Sequence, residues 1–387
     1  MKRDLTGLAA REWDLLVVGG GIHGVAAAWD AAQRGLAVAL VEREDFGAGV
    51  SWNSLKTIHG GLRHLQRLDV PGLRESARER RALLEVAPGL VSPLGFLVPA
   101  SGHGAHGRAV LALGLFLNDR LTTDRNRGLP EEKRIPAGRT LSATEALALV
   151  PGLPARGLSG AALWYDAQVS STERLVIAFA HAAAGAGAVL ANHAEAVELL
   201  RGASGRVVGA AVRDGLTRRS LEVRAKLVLN AAGPWLDDLV RGTGMRRAPV
   251  PLLRARNLVL RRPLPSRVAV GGRSAGRFLF AVPWRERSIV GTSYEPADAP
   301  PSDPRAFLAE AARAFPWAGI EPADLALVHE GLVPGVASAS GLRTRSKVVD
   351  HEREDGVPGL VSLLSVKYTT ARAVAERADA LFGQLST

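Results

Sequence analysis

The first residues able to do chemistry are in the run Val17-Val18-Gly19-Gly20-Gly21-Ile22-His23-Gly24, which carries G-x-G-x-x-G on Gly19, Gly21 and Gly24. Glycine is needed there for a tight turn, for backbone to approach a pyrophosphate, and for a helix to pack on the preceding strand. The N-terminus of that helix offers free N–H groups and a partial positive charge to phosphates. Glu42, eighteen residues past Gly24 and followed by Arg43, stands where a carboxylate binds ribose hydroxyls and repels a 2′-phosphate.

Three more clusters follow. Ser51-Trp52-Asn53-Ser54-Leu55-Lys56-Thr57-Ile58-His59-Gly60-Gly61-Leu62-Arg63 packs hydroxyls, an amide and cations into one stretch, with His64 next. It reads equally as a polar surface loop or as a wrap around a pyrophosphate or flavin ring, with Arg63 suited to an anionic substrate. Asn230-Ala231-Ala232-Gly233-Pro234-Trp235 follows a buried strand, and its small residues allow close approach of a ligand, with Trp235 reading as core. Lys367-Tyr368-Thr369-Thr370-Ala371-Arg372 follows another buried strand, with Arg343 and Arg345 upstream. A lysine beside a helix N-terminus suits a flavin pyrimidine or a phosphate, and an ordinary capped helix has the same pattern.

The elements that must position these groups begin with strand 14–18, helix 25–34 ended by Gly35, and strand 37–41, a β–turn–α–β unit. Helices are expected over 73–86, around 111–117, over 171–184 with Ser171 as cap, over 304–315 and over 369–385. Strands are expected at 188–190, 207–212, 221–223, 227–229, 257–260, 277–282, 288–291 and 361–364, and the stretch 45–61 reads as loop. The fold class is α/β. A Rossmann-like nucleotide-binding domain is built from 1–90, 155–248 and 340–387, and a mixed β-sheet substrate domain from 91–154 and 249–339 is inserted into it.

Composition narrows the chemistry. The 387 residues include no cysteine, which excludes a disulfide scaffold, a thiolate metal site and a catalytic thiol. No H-E-x-x-H, P-loop or G-x-S-x-G pattern occurs, and no metal site is expected. The longest apolar run, 109–117, falls short of the roughly 20 residues a membrane span needs. The expectation is a soluble, cytoplasmic protein able to sit on the inner membrane face. The net charge of +11 points to an anionic partner: lipid, phosphorylated substrate or nucleic acid. Without a basic tail or a basic helix with interleaved aromatics, nucleic acid is the weakest of the three.

Taken in order, the four clusters resemble the FAD-dependent glycerol-3-phosphate dehydrogenase family of the D-amino-acid-oxidase-like flavoproteins. Tyr165-Asp166-Ala167-Gln168 and Val282-Pro283-Trp284 with Gly291-Thr292 fit as well, and His59-Gly60-Gly61-Leu62-Arg63 is the most specific segment. The resemblance implies FAD held by Gly19, Gly20, Gly21, Ile22, His23, Gly24, Glu42, Arg43, Ser51, Ser54, His59, Gly60, Ala232, Gly233, Lys367, Tyr368 and Thr369. It implies a phosphorylated small-molecule substrate bound by Arg63, His64, Asn257, Arg345 and Lys367, with His59, Arg345 and Lys367 catalytic. The implied reaction moves hydride from C2 of glycerol 3-phosphate to flavin N5, giving dihydroxyacetone phosphate, with a quinone or oxygen taking the electrons.

The chain departs from that pattern at several positions. Val333 stands where the family has an arginine, Asn257 where it has a histidine, His64 where it has a tyrosine, and Ser365-Val366 where it has Gly-Gly. The chain also reads as a short form without the family's C-terminal helical domain. Alcohol oxidation needs the hydroxyl proton removed as hydride leaves. His59, His64 or neutral Lys367 can take it, and Arg254 and Arg256 can replace the missing cation. Oxidation of an amine or another 2-hydroxy acid, and a non-catalytic flavin-containing binding protein, are the alternatives these changes leave open.

Overall fold

The computed structural model describes residues 1–101, 107–241, 250–274, 276–336, 343 and 345–382. The chain divides into two compact units: Met1–Trp52, Thr172–Leu253 and Leu332–Thr387 form the first, and Asn53–Ser171 and Arg254–Gly331 the second.

In the first unit, the strand Trp13–Val18 lies at the centre of a parallel sheet. It pairs with Val38–Val41 on one side and Ser220–Asn230 on the other. Val189–Ala191 and Leu360–Leu364 extend the sheet in parallel, and Lys347–Asp350 closes one edge antiparallel. Strands buried on both faces read as continuous Val/Leu runs, as Leu15-Leu16-Val17-Val18 does. The helix Ile22–Gln33 covers one face together with Thr172–Gly185 and Ala371–Phe382. Its alanines let these helices approach closely, and Trp29 meets Phe179 edge-on at 5.1 Å between ring centroids. Gly35, at φ +86°, takes the left-handed position just past the helix end.

The second unit is built on a larger mixed sheet. Val91–Ser101 and Leu158–Val169 form its long central antiparallel pair, and Ala269–Ser274, Arg277–Trp284 and Arg287–Pro296 continue it. Alternation sorts its faces. Leu97, Leu163 and Val270 pack beneath Ala143–Leu149, and Leu279 and Ala281 beneath Pro304–Ala314. Phe96, paired in register with Trp164, clusters on the opposite face with Phe280 and Val282.

Several expectations change. The units do not follow the expected boundaries: 53–90 and 155–171 belong to the second, because Thr57–Ile58 and Leu158–Val169 are strands of its sheet. A short strand therefore lies inside the stretch read as loop. The separate strands expected at 221–223 and 227–229 are one strand, Ser220–Asn230. Its first half pairs antiparallel with Val207–Asp214 and its second half parallel with Trp13–Val18. The strand Ala194–Arg201 was not expected, since glutamates and register shifts blur its alternation. Residues 383–385 of the expected last helix lie outside the described residues.

Candidate active site

In the first unit the glycine turn has the shape a dinucleotide requires. Gly19 adopts φ +110°, and a Cβ there would lie 2.6 Å from the Ala231 carbonyl oxygen. A Cβ on Gly24 would stand 1.9 Å from the Gly19 oxygen, so the helix seats on the turn only with glycine there. Glu42 Oε2 accepts the Gly20 N–H at 2.6 Å and Oε1 accepts that of Glu44 at 2.8 Å. The Ser51 hydroxyl accepts the Ile22 N–H at 3.0 Å. Arg43 lays its guanidinium over Trp235, 4.1 Å from the ring centroid. Trp235, expected in the core, is half-buried and forms a cation–π shelf with Arg43, the residue after Glu42.

His23 and Lys367 meet. The His23 ring hydrogen-bonds the Lys367 carbonyl, and burial, offset in part by that bond, lowers its pKa to about 4. Its Nε2 is buried without a hydrogen-bond partner at the start of the Ile22–Gln33 helix. An orphaned polar atom beside a glycine cradle and a helix N-terminus fits a bound dinucleotide. Ala232 and Gly233 lie on the turn against Gly19, with Gly233 at φ +61°. Thr369 is buried beside Tyr368, whose hydroxyl donates to the Thr172 carbonyl at 2.9 Å. The Tyr368 phenol is therefore spent on tethering the last helix, and Thr370 donates to the Lys367 carbonyl at 3.4 Å. Arg345 is exposed, just before Lys347–Asp350.

In the second unit, His59 Nδ1 lies 3.1 Å from Asp166 Oδ2, and the Gly60 N–H donates to Asp166 Oδ1 at 2.7 Å. Arg80 Nη1 donates to the same Oδ1 at 2.7 Å. Burial pushes the Asp166 carboxyl up, but the His59 hydrogen bond, the Arg80 charge and the Gly60 N–H together hold it below its ordinary value. Arg63 is exposed on the 3-10 turn Leu62–Arg67. His64 is tied by Nδ1 to Asp69 at 2.7 Å, the residue that caps helix Val70–Val86. Ser54 accepts the Lys56 N–H at 3.2 Å. Lys56 is fully buried, with its ammonium 5.4 Å from the Trp284 ring centroid.

Asn257 is buried, and its Oδ1 accepts the Thr292 hydroxyl at 2.7 Å. Thr292 is also hydrogen-bonded to Tyr294. Burial raises the Tyr294 phenol, with the Thr292 bond and the Arg63 charge opposing. Thr292 and Tyr294 thus join Asn257 to the field of Arg63. Sequence reasoning did not single out Tyr294, whose signal is its place two residues past Thr292 on one strand face.

The expected substitute cations are otherwise engaged. Arg256 Nε lies 2.6 Å from Glu330 Oε2 and its Nη1 3.1 Å from Glu295. Arg254 lies 3.4 Å from Glu295 and 3.3 Å from Glu330, and donates to the Ala297 and Ala299 carbonyls. Two carboxylates neutralise both guanidiniums, so neither is left as a substitute cation.

The fold, the glycine cradle and this constellation define a flavoprotein oxidoreductase. The chain belongs to the DAO family of FAD dependent oxidoreductases, whose sequence profile matches residues 14–375. Within that family it is 31% identical to a glycerol-3-phosphate dehydrogenase of Synechocystis sp., with 96% of this chain and 70% of that protein covered. It is 35% identical to a glycerol-3-phosphate dehydrogenase of Mycobacterium leprae, over 96% of this chain and 62% of that one. The X-ray structure of the glycerol-3-phosphate dehydrogenase from Bacillus halodurans complexed with FAD superposes with TM-score 0.74 at 26% identity, covering 98% of this chain and 66% of that one. The chain thus spans about two thirds of the length of these relatives.

Proposed function

We propose that the protein oxidises glycerol 3-phosphate at C2, with His59 as the base and Arg63 as the anchor for the phosphate. The observation that carries this reading is the half-exposed His59 imidazole, one nitrogen held by a buried carboxylate, four residues before an exposed arginine. The names of the relatives support the substrate. The chemistry supplied by bound FAD is acceptance of the C2 hydride, which leaves dihydroxyacetone phosphate. His59 Nε2 takes the hydroxyl proton, a role worth about 10²–10⁴-fold in rate. Arg63 holds the phosphate through charge-assisted hydrogen bonds.

The glycine turn, Glu42, Arg43, Ser51, Ala232, Gly233 and the backbone around Lys367–Thr369 are the first unit's residues for holding FAD. Arg345 and the Lys367 side chain are the first unit's candidate cations for an anionic substrate. A quinone or oxygen takes the electrons, in the cytoplasm or on the inner membrane face. Among the described residues no helix is long and apolar enough to cross a membrane. Helix Arg108–Leu121 exposes Val110, Leu113, Phe116 and Leu117 between exposed Arg108 and Arg120. Such a face suits the surface of an anionic bilayer. Flotation with anionic vesicles tests it, and Leu113→Glu is expected to abolish flotation.

A second reading has one observation in its favour. With Arg254 and Arg256 neutralised by Glu295 and Glu330, the site has fewer cations for a phosphate, which favours an amine or another 2-hydroxy acid. An anaerobic panel of glycerol 3-phosphate, 2-hydroxy acids and amines, with flavin reduction as readout, separates the two. Fastest reduction by glycerol 3-phosphate supports the first reading, and fastest reduction by another class replaces it.

A further inference from the structure

His59 is held by an array that crosses three elements of the second unit. Asp166 comes from strand Leu158–Val169, Arg80 from helix Val70–Val86, and His59 follows strand Thr57–Ile58, whose Ile58 pairs with Ala167. Asp166 Oδ2 faces the ring, and Oδ1 accepts both the Gly60 N–H and Arg80 Nη1. Arg80 Nη1 also donates to the Tyr165 carbonyl at 2.9 Å. The side chains of Asp166 and Arg80 are each 4% exposed, against 52% for His59. The fit leaves no slack, since a Cβ on Gly60 would lie 2.0 Å from Arg80 Nη1. Uncharged Phe96 lies beside the ring, at 6.0 Å between ring centroids. Arg80 in turn feels Asp119 and Arg125, which act on it with opposite sign.

We infer that Asp166 and Arg80 are a matched pair of positioning residues. Asp166 fixes the His59 tautomer with its proton on Nδ1, leaving Nε2 as the acceptor, and Arg80, bonded to the other carboxylate oxygen, offsets part of the Asp166 charge that the ring feels. The inference rests on the reading of His59 as the base. A carboxylate alone at this distance favours the imidazolium. A ring already protonated cannot take the substrate proton. A ring with no carboxylate has no fixed tautomer. In the step itself the substrate O–H bond breaks, an Nε2–H bond forms, and the O–H electron pair becomes part of the new carbonyl. The hydride is the part assigned above to FAD.

The test is the pH dependence of kcat/KM in the FAD-loaded enzyme. Asp166→Asn is expected to lower kcat about 10²-fold and to move the acid limb to lower pH. Arg80→Gln is expected to move it to higher pH, each by about one unit or more. Opposed shifts are what a merely structural pair would not produce. Limbs that move together, or not at all, in variants that keep their FAD overturn the inference. If His59→Gln retains both rate and acid limb, the underlying reading of the base fails instead. Nitrogen NMR of the wild-type holoenzyme needs no stable Asp166 or Arg80 variant, with His59 assigned by its absence in His59→Gln. In the neutral ring the proton is expected on Nδ1 with Nε2 bare, and the other tautomer overturns the inference.

Discussion

Glu42 Oε2 accepts the Gly20 backbone N–H at 2.6 Å, tying the end of the second strand to the middle of the glycine turn. With Oε1 on the Glu44 N–H, one carboxylate sets the shape of the turn and keeps lone pairs for ribose hydroxyls. A hydrogen bond to a charged group contributes about 1.5–3 kcal/mol. Glu42→Ala is therefore expected to raise the Kd for FAD by roughly 10- to 100-fold, measured by equilibrium dialysis. An unchanged Kd would remove Glu42 from the site.

The glycines of the turn differ in what they tolerate. A Cβ on Gly24 collides with backbone at 1.9 Å, whereas one on Gly21 meets only the Ser51 hydroxyl, at 3.1 Å. Gly24→Ala is expected to abolish FAD retention and lower Tm, and Gly21→Ala to fold normally while binding FAD more weakly. Flavin content and a melting curve on each variant decide it.

Arg63 and Arg256 have opposite roles. Arg63 is exposed, so Arg63→Ala is expected to leave stability within about 0.5 kcal/mol while raising KM for glycerol 3-phosphate. Arg256 is buried between Glu295 and Glu330, so Arg256→Met removes its bonds to both and leaves them only Arg254, at an expected cost of about 1.5–3 kcal/mol of stability. Urea unfolding beside steady-state kinetics separates the two effects. A large stability loss in Arg63→Ala, or a KM effect confined to Arg256→Met, would contradict the assignment.

His23 gives the fold an acid-sensitive point. Its folded pKa of about 4 lies below the ordinary imidazole value of 6.5, so the unfolded chain binds the extra proton first. The stability contribution is complete above the unfolded value and is lost as pH falls from there through about 4. His23→Gln is expected to flatten the decline of the urea midpoint over that window. An equally steep decline in the variant would assign it to other groups.

The sequence made the glycine turn legible because its constraints are local: strand, turn, helix and acid lie within one short stretch. His59 and Arg63 stood out through the family resemblance, since their own stretch reads equally as a polar surface loop. The meeting of Asp166 and Arg80 with His59 was not legible, because strand register and helix packing bring them there, with Asp166 107 residues away in sequence. Arg254 and Arg256 looked like free cations until Glu295 and Glu330 folded onto them. Polar alternation with register shifts hid Ala194–Arg201, and two residues pairing with a distant strand made Thr57–Ile58 indistinguishable from loop.

Arg63 and His59 are proposed to serve the oxidation of a phosphorylated alcohol. The most direct measurement mixes the FAD-loaded enzyme anaerobically with glycerol 3-phosphate and follows loss of the oxidised flavin's visible absorbance. Expected is rapid bleaching with dihydroxyacetone phosphate as product, slowed at least about 10²-fold in His59→Gln, and saturating only at much higher substrate in Arg63→Ala. No bleaching by glycerol 3-phosphate, in protein whose flavin dithionite still reduces, would contradict the account.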